Sequence, residues 1–149
     1  MSNFLTDGRA ALVAALKADA AIDALVKTYF EFGPGLRRRY ELAPAACPAL
    51  SVLPAEASES HLANVEREVP QRLRIEVATD GQDAAPCEEL AALVLARLHA
   101  CRAGCLGLAA DGLTGLRVGS VAWAALPRQD GARLVWTAAI DVELLWRLA

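Results

Sequence analysis

The sequence predicts an α+β protein: an antiparallel or mixed four-stranded sheet with two packing helices, in the order α-β-β-α-β-β, ending in a long C-terminal hairpin. Three observations carry this. Residues 134–146 alternate with a period of two, Leu134, Trp136, Ala138, Ile140, Val142, Leu144 and Trp146 apolar against a mixed set between them, the signature of a half-buried strand. Two other stretches, 12–26 and 90–98, repeat apolar residues at three- and four-residue steps, as helices do. Clusters of Gly and Pro separate these periodic segments, and such residues mark turns. With 149 residues the chain is expected to form one domain, residues 1–149, large enough to bury a core without disulfides.

The first helix is expected from a cap at Thr6 and Asp7 to about Lys27, with Leu12, Val13, Leu16, Ile22, Leu25 and Val26 on its stripe and many alanines favouring helix. Tyr29, Phe30 and Phe32 extend or follow that stripe, and Gly33, Pro34 and Gly35 stop it. A loop over 36–47 opens with three arginines, and 49–53 is a short strand closed by Pro54. Residues 55–70 are polar and weakly patterned, the composition of a long hairpin loop of the kind found on binding or assembly surfaces. The strand over 72–78 alternates, with Leu73, Ile75 and Val77 inward and Arg72, Arg74 and Glu76 outward, and Asp80 and Gly81 end it.

The second helix is expected over 86–101, with Pro86 in its first turn, Leu90, Leu93, Val94 and Leu98 on its core stripe, and Gly104 as a C-terminal stop. Residues 105–112 read as a glycine-punctuated linker. The strand over 113–126 loses its alternation at Gly119 and Ser120, where a bulge would move the inward face from Leu116 and Val118 to Val121 and Trp123. Residues 127–131 are turn chemistry, and the last strand returns from them. That strand would span roughly 40 Å at about 3.3 Å per residue, more than a small domain covers alone, so it calls for a hairpin arm or a second subunit.

The bulk numbers exclude several classes. A net charge of −3 argues against a dedicated nucleic-acid binder. Residues 1–7 lack the basic start and apolar core of a signal peptide, and no run of about 18 apolar residues suggests a membrane span. The expected location is a cytoplasm, where the four cysteines stay reduced.

No residue pattern points to catalysis. The two histidines, His61 and His99, have no nucleophile elbow beside them. Cys101 and Cys105, near His99 and Cys87, suggest a zinc site, but His99 and Cys101 are two apart and point to different helix faces; thiols used as small hydrophobes fit better. Glu88 and Glu89 suit a helix start. The glycines of 104–119 form neither a dinucleotide fingerprint nor a phosphate loop. No catalytic, cofactor-binding or metal residue is therefore assigned. Candidate protein-interface residues are Arg37, Arg38 and Arg39, the one dense basic cluster, with Asp141 and Glu143 on the outward face of the last strand. The arginines suit an acidic partner surface or a solvated loop equally, and the two acids suit edge protection or an interface.

Taken together, the helix over 12–26, the strand over 49–53 after a proline-rich loop, the strand over 71–79 followed by Asp80 and Gly81, the helix over 90–98 and the long hairpin of 113–126 and 134–146 resemble the tail-terminator (tail-completion, minor tail protein U-like) family of tailed bacteriophages and prophages. The resemblance implies a non-enzymatic structural subunit that closes into a ring, often hexameric. Such a ring caps the head-proximal end of the tail, meets tail-tube and head-connector proteins, and binds neither a membrane nor specific nucleic acid. It also implies a place in the host cytoplasm during assembly and then in the virion or a phage-like tail particle. A dimeric cytoplasmic adaptor or secretion-type chaperone, and a small cytoplasmic enzyme or ligand-binding domain, are the other classes compatible with the residues.

Overall fold

The computed structural model describes residues 3–30, 43–54, 68–127 and 134–147. Helix α1 (Phe4–Lys17) is capped three residues earlier than expected, at Asn3, whose side chain accepts the Thr6 N–H at 2.9 Å. The helix expected to reach Lys27 is two helices. Asp19 adopts extended backbone and its carboxylate accepts the N–H groups of Ala21 and Ile22, at 3.0 and 3.2 Å, to start α2 (Ala20–Leu25). A short acidic side chain competing for backbone donors ends one helix and starts the next.

Tyr29 and Phe30 do not prolong a helical stripe. They belong to β1 (Thr28–Phe30), a three-residue strand parallel to β2 (Ala49–Pro54). A 3₁₀ turn at Pro44–Ala46 precedes β2. Strand β3 (Glu68–Gly81) is longer than expected at both ends and includes residues assigned to the loop. Helix α3 (Ala85–Cys101) carries Pro86 in its first turn and buries Cys87, Leu90, Ala91, Val94 and Leu98. Two 3₁₀ turns, Cys105–Gly107 and Ala109–Asp111, lead into β4 (Leu113–Pro127), which pairs with β5 (Leu134–Arg147).

The sheet order is β1-β2-β3-β5-β4, antiparallel except for β1 against β2. The α+β class is as expected, with a fifth strand, β1, added at one edge. The long β5 finds its cover inside the chain. It pairs with β3 from Glu68 opposite Arg147 to Gly81 opposite Leu134, and with β4 along its other side. The expected irregularity in β4 is present: register shifts between Val118 and Val121, and again between Leu113 and Gly115.

All three helices lie on one face of the sheet. Leu12, Leu16 and Ile22 meet Leu73, Ile75, Ile140, Leu144 and Trp146 there, all fully buried; each such side chain contributes about 1.5–3 kcal/mol relative to exposure. Trp146 organises the N-terminal end. Its Nε1 donates to Gln71 Oε1 at 2.9 Å, Gln71 Nε2 donates to the Leu5 carbonyl at 2.7 Å, and Phe4 meets the indole edge-on at 5.3 Å. Gly8 lets α1 approach: a Cβ there would sit 2.7 Å from Gln71 Oε1 and 2.8 Å from the Trp146 ring.

The outward face corrects a second expectation. Arg72 and Arg74 are accessible, but Glu76 is only 2% exposed, and Ser51, Val135 and Thr137 are buried with it. Ser51 lies opposite Glu76, and Ala49 opposite Ala78, which lies opposite Thr137. Ala49, Ala78 and Val135 form a second small apolar cluster with Phe30 against it. Alternation along one strand therefore does not ensure that a polar residue is exposed.

Candidate interaction surface

The accessible part of the outward face is built from charge rows set by strand register. Arg72, Glu143 and Arg117 occupy one row across β3, β5 and β4; Arg74 and Asp141 occupy the next. Arg72 Nε lies 3.5 Å from Glu143 and Arg74 Nε 3.3 Å from Asp141. On the other side, Ser120 at the β4 bulge donates to Asp141 Oδ2 at 3.1 Å. Arg117 is exposed and enters no ion pair among the described residues. These groups line an open hollow of about 300 Å³.

The Arg74–Asp141 pair is nearly half exposed on both sides. Pairs of that kind contribute roughly 0–1 kcal/mol, so the rows add little to folding stability. Of the predicted interface residues, Asp141 and Glu143 are therefore brought together, each held by an arginine of β3. Arg37, Arg38 and Arg39 lie outside the described residues, as does His61. Arg72, Arg74, Arg117 and Ser120 were not singled out from sequence. Their signal is the two-residue spacing shared by Arg72 and Arg74 on one strand and Asp141 and Glu143 on another, which matters only once the register is known.

A second region lies along β4. Among the described residues β4 pairs only with β5, leaving its other edge open. Residues 118–127 carry no charge, and Trp123 is 54% exposed while Trp146 is fully buried. Trp123 lies in register with Ala138 and Val77 on the helix-bearing face, as alternation predicts, but at the outermost strand, where less of it is covered. Near the bulge, Arg117 and Val118 join Leu95, His99 and Arg102 from the end of α3 around a hollow of about 270 Å³.

The thiols do not form a centre. Cys87 is buried, and burial pushes its thiol up to about 11, with Thr79 hydrogen bonding opposing and the Glu88 charge adding to the shift. Cys101 and Cys105 are half-buried at the far end of α3. Among the described residues no three His, Cys, Asp or Glu side chains converge, and no helix is long and apolar enough to cross a membrane.

No protein-family model matches the chain, and no curated protein matches it. Solved structures do. A chain from the virion of a native gene transfer agent particle aligns with a TM-score of 0.58 and 21% identity, covering 96% of this chain and 99% of that one. The two share a fold from end to end.

Proposed function

We propose that this chain is a structural subunit of a phage-like particle that closes into a homo-oligomeric ring, acting as a tail terminator or head-tail joining protein. The observation that carries the reading is the end-to-end fold likeness to a virion component, with almost the whole of each chain covered. A cyclic ring joins one face of each subunit to a different face of the next. The outward charge rows suit such a contact: Asp141 and Glu143, each beside an arginine, offer alternating charges that fix register between neighbours. Arg37, Arg38 and Arg39 are the proposed basic counterpart. The subunit acts without catalysis, its partners being further copies and the tail-tube and connector proteins. It would assemble in the bacterial host cytoplasm and remain in the particle.

The test is absolute mass by light scattering across protein concentration, with electron microscopy of the heaviest fraction. The ring reading expects a closed species of about six subunits of 15.8 kDa. A stable dimer at every concentration, with no ring on tail tubes, would overturn it in favour of a dimeric adaptor.

A further inference from the structure

We infer that the open edge of β4 receives an extended acidic segment of a partner protein as an added antiparallel strand, its carboxylates toward Arg117 and an apolar side chain against Trp123. The inference rests on the assembly reading above, since it names the kind of segment the subunit would take from another component.

Edge strands present a row of unpaired backbone groups, and proteins normally blunt them with charge, proline, a bulge or a covering element. Here the register shifts of β4 fall before Val121; from Val121 to Pro127 it pairs with β5 without interruption, and its only proline is the last residue, Pro127. The uncharged half instead exposes a large aromatic ring, the residue type that anchors interfaces. Toward the start of β4 lie two cations, Arg117 and, from the end of α3, Arg102, around a hollow lined also by Leu95, His99 and Val118, on a chain of net charge −3. A basic group at a helix end complements its dipole, which accounts for Arg102; Arg117 lies opposite Glu143 in register, but Glu143 pairs with Arg72.

The edge thus has a polarity: cationic toward its start, apolar toward its end. The bulge between Val118 and Val121 puts Arg117 on the outward face and Trp123 on the helix-bearing face. They are six residues apart in sequence, but the bulge sets them opposite Glu143 and Ala138, five residues apart on β5 and about 17 Å along the strand. The strands β3, β5 and β4 are paired antiparallel throughout, and an antiparallel addition would carry its apolar residues first and its acids last. A nucleic acid would satisfy the cations but not the open backbone edge. A peptide satisfies both.

The test uses the full chain and a dye-labelled ten-residue peptide, alternating Val and Thr at its start with two Glu near its end, followed by fluorescence anisotropy. Arg117→Glu and Trp123→Thr should each weaken binding about tenfold or more, and a peptide with Lys in place of Glu should recover binding to Arg117→Glu. Unchanged affinity in both variants would overturn the proposal, as would equal binding of single-stranded DNA of similar length. Loss of self-association in Trp123→Thr would also overturn it, because the edge would then belong to a second copy. A ring that forms but takes no peptide rejects this inference and leaves the ring reading standing. Peptide binding with both variant losses supports it whatever the subunit count.

Discussion

Strands β3 and β4 flank β5, run antiparallel to it and span 14 and 15 residues, yet their environments are opposite. From 75 to 79 every β3 residue is buried, on both faces of the sheet. From 119 to 127 no β4 residue is. Hydrogen-bonded pairing is therefore common to both, and the difference lies in what covers the side chains. On the β3 side, helices and a second small cluster exclude water, and substitutions there act on stability. On the β4 side, side chains such as Trp123 remain accessible, and substitutions there should cost little stability.

The largest effect should come from charging the shared core. Val142→Asp places a carboxylate on the helix-bearing face at a position 2% exposed, and should cost about 3–5 kcal/mol or abolish folding. Thermal melting followed by circular dichroism checks it, and an unchanged midpoint would mean that the buried face is misassigned. Next, Gly8→Ala forces a methyl group against Gln71, Trp146 and Leu144. Overpacking costs about 1–3 kcal/mol, which outweighs the helix-propensity gain of up to about 1 kcal/mol, so urea titration should show a net loss.

A smaller effect sharpens the comparison at the β1 edge. Tyr29 donates to Asp23 Oδ1 at 3.0 Å, and burial first, then Asp23 and Asp19, push its phenol from 10.0 up to about 12. The folded chain thus holds this proton more tightly than the unfolded chain. Its stabilisation is complete below pH 10 and is lost as pH rises from 10 toward about 12. The stability difference between the parent and Tyr29→Phe should shrink across that window in urea titrations. The smallest effect is expected at the open edge: Trp123→Thr should change stability by no more than about 0.5 kcal/mol. A loss comparable to that of Gly8→Ala would break the contrast between the strands.

What the sequence makes legible follows the range of the physics involved. The alternation of β5, the stripe of α3 and the bulge at Gly119 and Ser120 all depend on neighbours within a few residues, and each was readable. The break at Asp19 was hidden by an apolar periodicity that continues through it. β1 is three residues long and exists because β2 lies beside it, a partner about twenty residues away. Burial of Glu76 depends on what covers that face of the sheet, and alternation along one strand carries no such information. Asp141 and Glu143 were readable as outward acids, but their pairing with Arg74 and Arg72 required the β3–β5 register. The length of β5 was a sound reason to seek a partner strand. That partner is in the same chain, which leaves β4 with an unpaired edge among the described residues.

Residue-resolved amide hydrogen exchange on the free chain, repeated with the acidic peptide bound, tests the contrast most directly. Strong protection is expected over 75–79 in both states, with faster exchange over 121–126 in the free chain and slowing there on binding. Equal protection of the two stretches in the free chain, or no change over 121–126 with the peptide bound, would contradict it.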